Sequence, residues 1–578
     1  MRATDSTPAP PSASPPFARP AEIAFAAELH RVRPALDAAF AAELPGARAA
    51  VLARLWRALL LEPLPLDPAD RAALSGPERR AHDIDAPAPG YTVSLRGVGF
   101  TDPAALLQTL RLPGSATLLA EIEHSVVSLA LSRAGARAGA RGGVTPAPLG
   151  GIDGVDLLGT LEDAERSVVD GHPYHPCCRS RPGFSVADQL AFAPEHGADV
   201  ELELLRLPLE RALLVGDWPA RLREDGHVLL PVHPWQAREV LPALGLATTA
   251  AMPGAPAGTQ AGALSGAAAG ARAVCCPERV TAAPLMSVRT LAPVDGGPHL
   301  KTSLSLRMTS AVRDISGASV RNAMAVSGLL EAVVARLDGS LTVTRNLAAC
   351  AALVDGEPSP DLAAIVRESP ALGLAVGERV VPLAALAAHP VKTVDAAAWL
   401  AGFARLTWPP LLRLLDWGVA LEAHGQNLLL VLDETDRPVR LVYRDLADIR
   451  VSPRRLARAG IAHPAVGGHV VDDDPVVLRR KLLGSLVGSG FGGLVSGFGG
   501  GDRREEARLW DAVAAEARRA AELLLTDGED RRALLAEPLP VKALTLMRLD
   551  GLPGGPVGDR WTTVTNPLAT SDSHSRGW

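Results

Sequence analysis

Residues 422–445 read EAHGQNLLLVLDETDRPVRLVYRD. Leu428–Leu432 is a short apolar run, DETDRP is a run of turn formers, and 439–443 is again apolar, so the spacing predicts two antiparallel strands joined by a turn near Thr435. Such a hairpin sets Gln426 and Asn427 across from Asp445 and Arg444, and gathers His, Gln, Asn, Asp and Arg at its open end. Upstream, 411–423 reads as the end of a helix that His424-Gly425 breaks.

Asn and Asp oxygens suit Mg²⁺, which also binds the phosphates of its nucleotide. His-Gly-x-Asn, a strand pair and then Asp resembles kinase-like folds, in which an Asn and a later Asp hold the metal. The plainer reading is a polar cap on a hairpin beside a helix end.

Two other segments are equally polar. Residues 279–321 hold six basic side chains, Arg279, Arg289, Lys301, Arg307, Arg313 and Arg321, and only two acids, Asp295 and Asp314. Asp295-Gly-Gly is a turn signal. Parity puts Ser287 and Arg289 on one face, and Lys301, Ser303, Ser305, Arg307 and Thr309 on one face of the next strand. A hairpin brings Arg289 close to Lys301 and Ser303, and adjacent cations without alternating acids point to an anionic ligand rather than a solvated face. Lys301 to Thr309 spans roughly 26 Å if extended, so the two serve one site only along a long ligand or if the strand bends.

Residues 171–184, GHPYHPCCRSRPGF, form the third segment. Its prolines forbid a regular helix, so His172 and His175 sit on a rigid loop with Arg179 and Arg181 suited to bidentate anion contacts. With His233 of His-Pro-Trp-Gln236 they could make a zinc site, but no carboxylate or cysteine occurs at a ligand spacing.

With 578 residues the chain exceeds one core, and about three domains are expected. A net charge of −6 argues against a nucleic-acid binder. No 18-residue apolar run is free of charges and helix breakers, so no membrane span is expected. Five cysteines without a zinc spacing point to a reducing cytoplasm. The expected organisation is a disordered leader 1–20, a helical region 21–150, a middle region 151–395 with a low-complexity flexible loop 246–273, a C-terminal region 396–568 and a frayed tail 569–578. The Gly-rich stretch 483–501 lacks the Gly-Lys-Ser/Thr of a phosphate loop and reads as a mobile loop. Leu509, Val513, Ala517, Ala520 and Leu524 form a core stripe.

Together these motifs resemble the NRPS-independent siderophore synthetases of the IucA/IucC family. The matching runs are 171–184, His233-Pro-Trp-Gln, Ser287-Val-Arg-Thr with Lys301, Thr309–Arg313, His424-Gly-Gln-Asn, Arg444-Asp, and a C-terminal Lys542-Ala-Leu-Thr-Leu-Met-Arg and Asn566-Pro-Leu. They lie in order over roughly 110–568.

The resemblance implies an α+β cupped hand: helical thumb, β-rich fingers and a kinase-like palm with a FhuF-like C-terminal region. It implies ATP and Mg²⁺, a citrate-like carboxylate and an amine or alcohol nucleophile, and a homodimer by analogy. In the family pattern Ser287, Arg289 and Lys301 meet ATP phosphates. Thr309, Arg313 and His424 meet phosphate or carboxylate, and Asn427 and Asp445 serve Mg²⁺. Thr290, His172, His175, Arg179, Arg181, Gln426 and Arg444 complete the nucleotide-binding set. Arg179 replaces the family's Lys, a rigid fork for a flexible ammonium. The implied reaction is carboxylate adenylation with release of pyrophosphate, then acyl transfer with release of AMP. The alternatives are a kinase-like phosphotransferase releasing ADP and a non-catalytic binding protein on the same fold.

Overall fold

The computed structural model describes residue 17 and residues 19–141, 159–244, 274–309, 311–550 and 559–569. The low-complexity stretch 246–273 and nearly all of the leader and tail lie outside these.

The N-terminal region is built on helices Pro20–Val32, Asp37–Leu61 and Ala116–Arg141. Phe25, Leu29, Phe40, Leu52, Leu55, Leu118, Ile122 and Leu129 close one apolar core between them. It is not wholly helical: Leu74–Ser75, Val93–Leu95 and Val98–Phe100 form a small antiparallel sheet.

The middle region is a nine-stranded sheet. Its order is Ala212–Gly216, Asn346–Val354, Glu357–Arg367, His299–Thr302, Thr290–Pro293, Val274–Pro284, Val200–Pro208, His227–Val232 and Arg223–Glu224. The expected hairpin is present, with Lys301 opposite Thr290 and Leu300 opposite Leu291. Beyond Thr302 the chain leaves this sheet. Leu304–Met308 pairs instead with Ala311–Arg313 in a separate two-stranded ribbon. The Ser303 hydroxyl donates to Pro360 O (2.6 Å), and Ser305 N donates to the Gln236 amide oxygen (2.8 Å), which fixes the turn-off. The 301–309 strand therefore bends.

The C-terminal hairpin is Leu428–Leu432 and Pro438–Tyr443, with Leu428 opposite Tyr443. Arg379–Pro382 and Leu341–Val343 flank it in a four-stranded sheet. These two strands come from before residue 396, so the sheet crosses the expected 395/396 boundary. Helix Ala396–Trp417 packs on it and Arg503–Leu524 packs on that helix in turn, and of the expected stripe Leu509, Val513, Ala517 and Ala520 are buried.

Two expectations about this region are corrected. The helix before His424 ends at Trp417, not Ala423. Gly418 takes φ +99°, and a Cβ there would sit 2.9 Å from Ser452 O; 419–420 then pairs as a strand with Arg450–Val451. The Gly-rich run is not a loop either. Pro475–Ser485, a π-helical turn Leu486–Phe491 and Gly492–Gly499 form one continuous helical rod. The glycines permit close packing: a Cβ on Gly484 would lie 2.7 Å from Pro540 O. By length and composition Pro475–Gly499 could cross a membrane, but 67% of its apolar window is buried inside the protein, the mark of a core helix.

Candidate functional site

The site lies where the bent strand, the 287–290 turn, the 171–175 loop and the open end of the C-terminal hairpin meet. In the turn, Val288 has φ +66°, Ser287 Oγ accepts from Thr290 N (3.1 Å), and the Val288 side chain is buried with Phe184, Trp235 and Leu304. A β-branched residue in this conformation is strained by about 1–3 kcal/mol. Thr309 (φ +55°) and Asp445 (φ +70°) share the feature, so three of the seven described non-glycine residues with positive φ fall here. Such strain collects where a site holds side chains in a fixed aim.

Lys301 reaches across 144 residues to Asp445, with Nζ 2.6 and 2.8 Å from its two carboxylate oxygens. Burial pushes the Lys301 pKa down to about 8, against the pull of Asp445. Burial would raise the Asp445 pKa, but Lys301, Arg367 and Arg289 hold it far below the usual range. Arg289 Nη1 donates to Arg313 O (2.6 Å) and Asp314 O (2.5 Å), and Arg313 Nη2 donates to Thr309 Oγ1 (3.0 Å). Neither guanidinium has a carboxylate within 4 Å among the described residues, and burial pushes Arg289 down to about 10. These are anion-seeking groups.

The histidines share one local device. Nδ1 of His172, His175, His233 and His424 accepts the backbone N–H two residues on, from Tyr174, Cys177, Trp235 and Gln426, at 2.9–3.2 Å. Proline or glycine between them makes the turn. Burial lowers all four pKa values, to about 3 for His175 and His233. A neutral ring whose Nδ1 accepts carries its proton on Nε2, so His172, His175 and His424 are neutral donors. His233 is instead enclosed between Phe184 and Phe192 and lies outside the site.

Arg179 and Arg181 are corrected. Both turn inward to the wholly buried Glu195, at 3.5 and 2.9 Å, and Arg179 Nε also donates to Val169 O (2.7 Å). They brace the loop's rear rather than face a ligand. Thr290 is buried within its strand. Arg444 is likewise tied inward, to Glu165 (2.5 Å) and Gln426 O (3.0 Å). Asn427 is buried with Nδ2 3.4 Å from Glu422 O, and Gln426 is half-buried at the hairpin mouth.

Several residues without an expected role belong here. Glu165 also accepts from Met286 N (2.8 Å), so one buried carboxylate joins the 287–290 turn to Arg444 and Asp445. Removing it strands the Arg444 guanidinium. Glu165→Ala should cost about 3–5 kcal/mol in chemical denaturation; a loss below about 1 kcal/mol would contradict this role. Glu422 accepts from Lys542 (2.8 Å) and Lys481 (3.2 Å) and lies 4.0 Å from His424 Nε2, with Asp559 3.1 Å from Lys542. Arg367 joins Lys301 and Asp445 on the wall of a cleft also lined by Asn322, Val326 and His469. Glu165 and Arg367 sit in runs with no motif of their own, and only their strand and helix placement reveals them.

Asp445 and Asn427 are hard oxygen donors beside the cations, a set that fits Mg²⁺. A separate trio, His82, Asp83 and Glu506, has ligand atoms within 4.8 Å of one another, but Arg80 already ion-pairs both acids.

The chain matches known proteins along most of its length. Residues 160–388 match the IucA / IucC family, and residues 397–555 match the family described as ferric iron reductase FhuF-like transporter. It is 27% identical to the rhizobactin siderophore biosynthesis protein RhbC of Rhizobium meliloti, over 70% of this chain and 75% of that protein. It is 22% identical to staphyloferrin A synthase of Staphylococcus aureus, over 68% and 71%. It is 25% identical to N(2)-citryl-N(6)-acetyl-N(6)-hydroxylysine synthase of Vibrio mimicus, over 49% and 52%. Its fold is similar to the petrobactin biosynthesis protein AsbB of Bacillus anthracis (TM-score 0.67, 18% identity, 91% of this chain and 96% of that one). It is also similar to ATP-bound aerobactin synthetase IucA of Klebsiella pneumoniae (TM-score 0.66, 18% identity, 91% and 99%). The ordered motifs, the matched segments and these relatives agree, and the chain belongs to the IucA/IucC family of NRPS-independent siderophore synthetases.

Proposed function

The chain is a ligase of siderophore biosynthesis, and we propose that it activates a citrate-like carboxylate as its acyl-adenylate and passes the acyl group to an amine or alcohol. The observation that carries this is the set of half-buried guanidiniums, Arg289 and Arg313, without carboxylate partners beside the Lys301–Asp445 pair and the neutral histidines. Bringing a carboxylate to a triphosphate joins two polyanions, and such a site offsets their repulsion. A citryl product in one relative's name favours citrate as the donor.

A carboxylate oxygen attacks the α-phosphorus, and the bond to pyrophosphate breaks. The nucleophile's lone pair then attacks the acyl carbon; AMP departs with the C–O bonding electrons, and the nucleophile loses its proton. Lys301, Arg289 and Ser287 hold phosphates, while Arg313, Thr309, His172 and His175 face the reacting carboxylate. His424, with its proton on Nε2, donates a hydrogen bond rather than acting as the base in this state. Asp445 and Asn427 would hold Mg²⁺, which neutralises phosphate charge when bound. The nucleoside is assigned to this cleft on its lining, apolar along Ala323, Val326 and Ile365 with the amides of Asn322 and Asn346 beside them. The buried free thiols of Cys177, Cys178, Cys276 and Cys350 are consistent with a cytoplasmic enzyme.

The test of the donor is hydroxamate formation with hydroxylamine, ATP and Mg²⁺ across citrate, citrate monoamides, succinate and 2-oxoglutarate. Citrate or a citrate derivative should react; reaction with none of these acids would contradict the reading.

Lys301 must be protonated to hold phosphate, and its pKa is near 8. kcat/KM for ATP should therefore fall above about pH 8. In Lys301→Arg the residual activity should keep its value past that point, because guanidinium does not titrate there. An alkaline limb at the same pH in both enzymes would contradict the assignment.

A further inference from the structure

Arg367 ends the strand Glu357–Arg367 beside the Lys301 strand. Lys301 lies opposite Ile365 and His299 opposite Arg367, so strand alternation puts Lys301, Ile365 and Arg367 on one face, toward the cleft. Arg367 is 3% exposed, and its Nε is enclosed without a partner. Among the described residues its side chain makes no hydrogen bond and no ion pair within 4 Å. The nearest acids are already engaged: Asp445 by Lys301 and Glu165 by Arg444. Burial lowers its pKa to about 10, so the group stays charged at neutral pH.

Arg179, Arg181 and Arg444 are as deeply buried, and each is tied to a glutamate. Arginines that serve only the fold are paired, because a lone desolvated charge destabilises the protein. Arg367 carries that cost on the wall of the cleft, next to the lysine and carboxylate already read as phosphate and metal groups.

We propose that Arg367 is a second guanidinium contact, beside Arg289, to the phosphates of ATP, made where the triphosphate passes Lys301. This rests on the nucleotide reading of the site. Binding of ATP with Mg²⁺ to wild type, Arg367→Met and Arg367→Lys, measured by calorimetry, tests it together with the denaturation midpoint of each ligand-free protein. Arg367→Met should weaken ATP about 10- to 150-fold, the range for one charged hydrogen bond. Its ligand-free midpoint should stay level or rise, since an unpaired buried charge is gone. Arg367→Lys should recover part of the affinity. Wild-type affinity in Arg367→Met overturns the inference, and so does a lowered midpoint accompanying weaker binding, which marks a structural residue. Failure of the wild type to bind ATP would remove the nucleotide reading itself; wild-type binding with an indifferent Arg367→Met removes only this inference.

Discussion

Arg313→Ala is expected to lower turnover about a hundredfold or more with little loss of stability. Among the described residues Arg313 has no carboxylate within 4 Å, and its side chain donates to the half-buried Thr309 hydroxyl. Truncation therefore leaves no acid stranded. What it removes is a preorganised donor aimed at charge that grows during adenylation, and such donors contribute about 2.7–4 kcal/mol to the barrier. Arg289→Ala should have a similar effect on turnover but a larger one on stability, because the carbonyls of Arg313 and Asp314 lose their shared donor. Steady-state kinetics with denaturation midpoints separates the two. Near-normal turnover in folded Arg313→Ala would remove it from the reacting centre.

Asp445→Asn should reduce turnover by a similar or larger factor, about a hundredfold or more. It keeps the side chain's size and removes the anion facing Lys301, Arg367 and Arg289. Asp445 raises the Lys301 pKa, so without it the lysine gives up its proton more readily. Stability then changes modestly, while a phosphate cation and a metal oxygen are lost together. The Mg²⁺ concentration needed for half-maximal residual activity should rise. Normal turnover at low Mg²⁺ would place Asp445 outside the chemistry.

The hairpin of residues 428–443 was legible because strand alternation, a turn run and a polar mouth all agree, and the structure sets Asn427 opposite Arg444, whose N donates to Asn427 O at 3.0 Å. The Asp295-Gly-Gly turn and the Lys301–Arg289 neighbourhood were legible for the same reason. Parity failed where the strand did not stay straight: nothing local in Thr302-Ser-Leu announces that Gln236 and Pro360 take over its hydrogen bonds. The Gly-rich rod was misread because glycine lowers helix propensity, whereas here close approach to Pro540 and Ala387 decides. Arg179 and Arg181 resembled anion ligands because Glu195, their partner, is 14 residues or more away in sequence with no pattern linking them. Composition reveals that cations gather; only the fold shows which are already paired, and that difference separates Arg289 and Arg313 from Arg179 and Arg181.

The most direct measurement is the nucleotide product formed from ATP, Mg²⁺ and citrate with hydroxylamine as the acceptor. The account predicts AMP and pyrophosphate in step with a citryl hydroxamate. ADP and phosphate would contradict it and make the site that of a phosphotransferase.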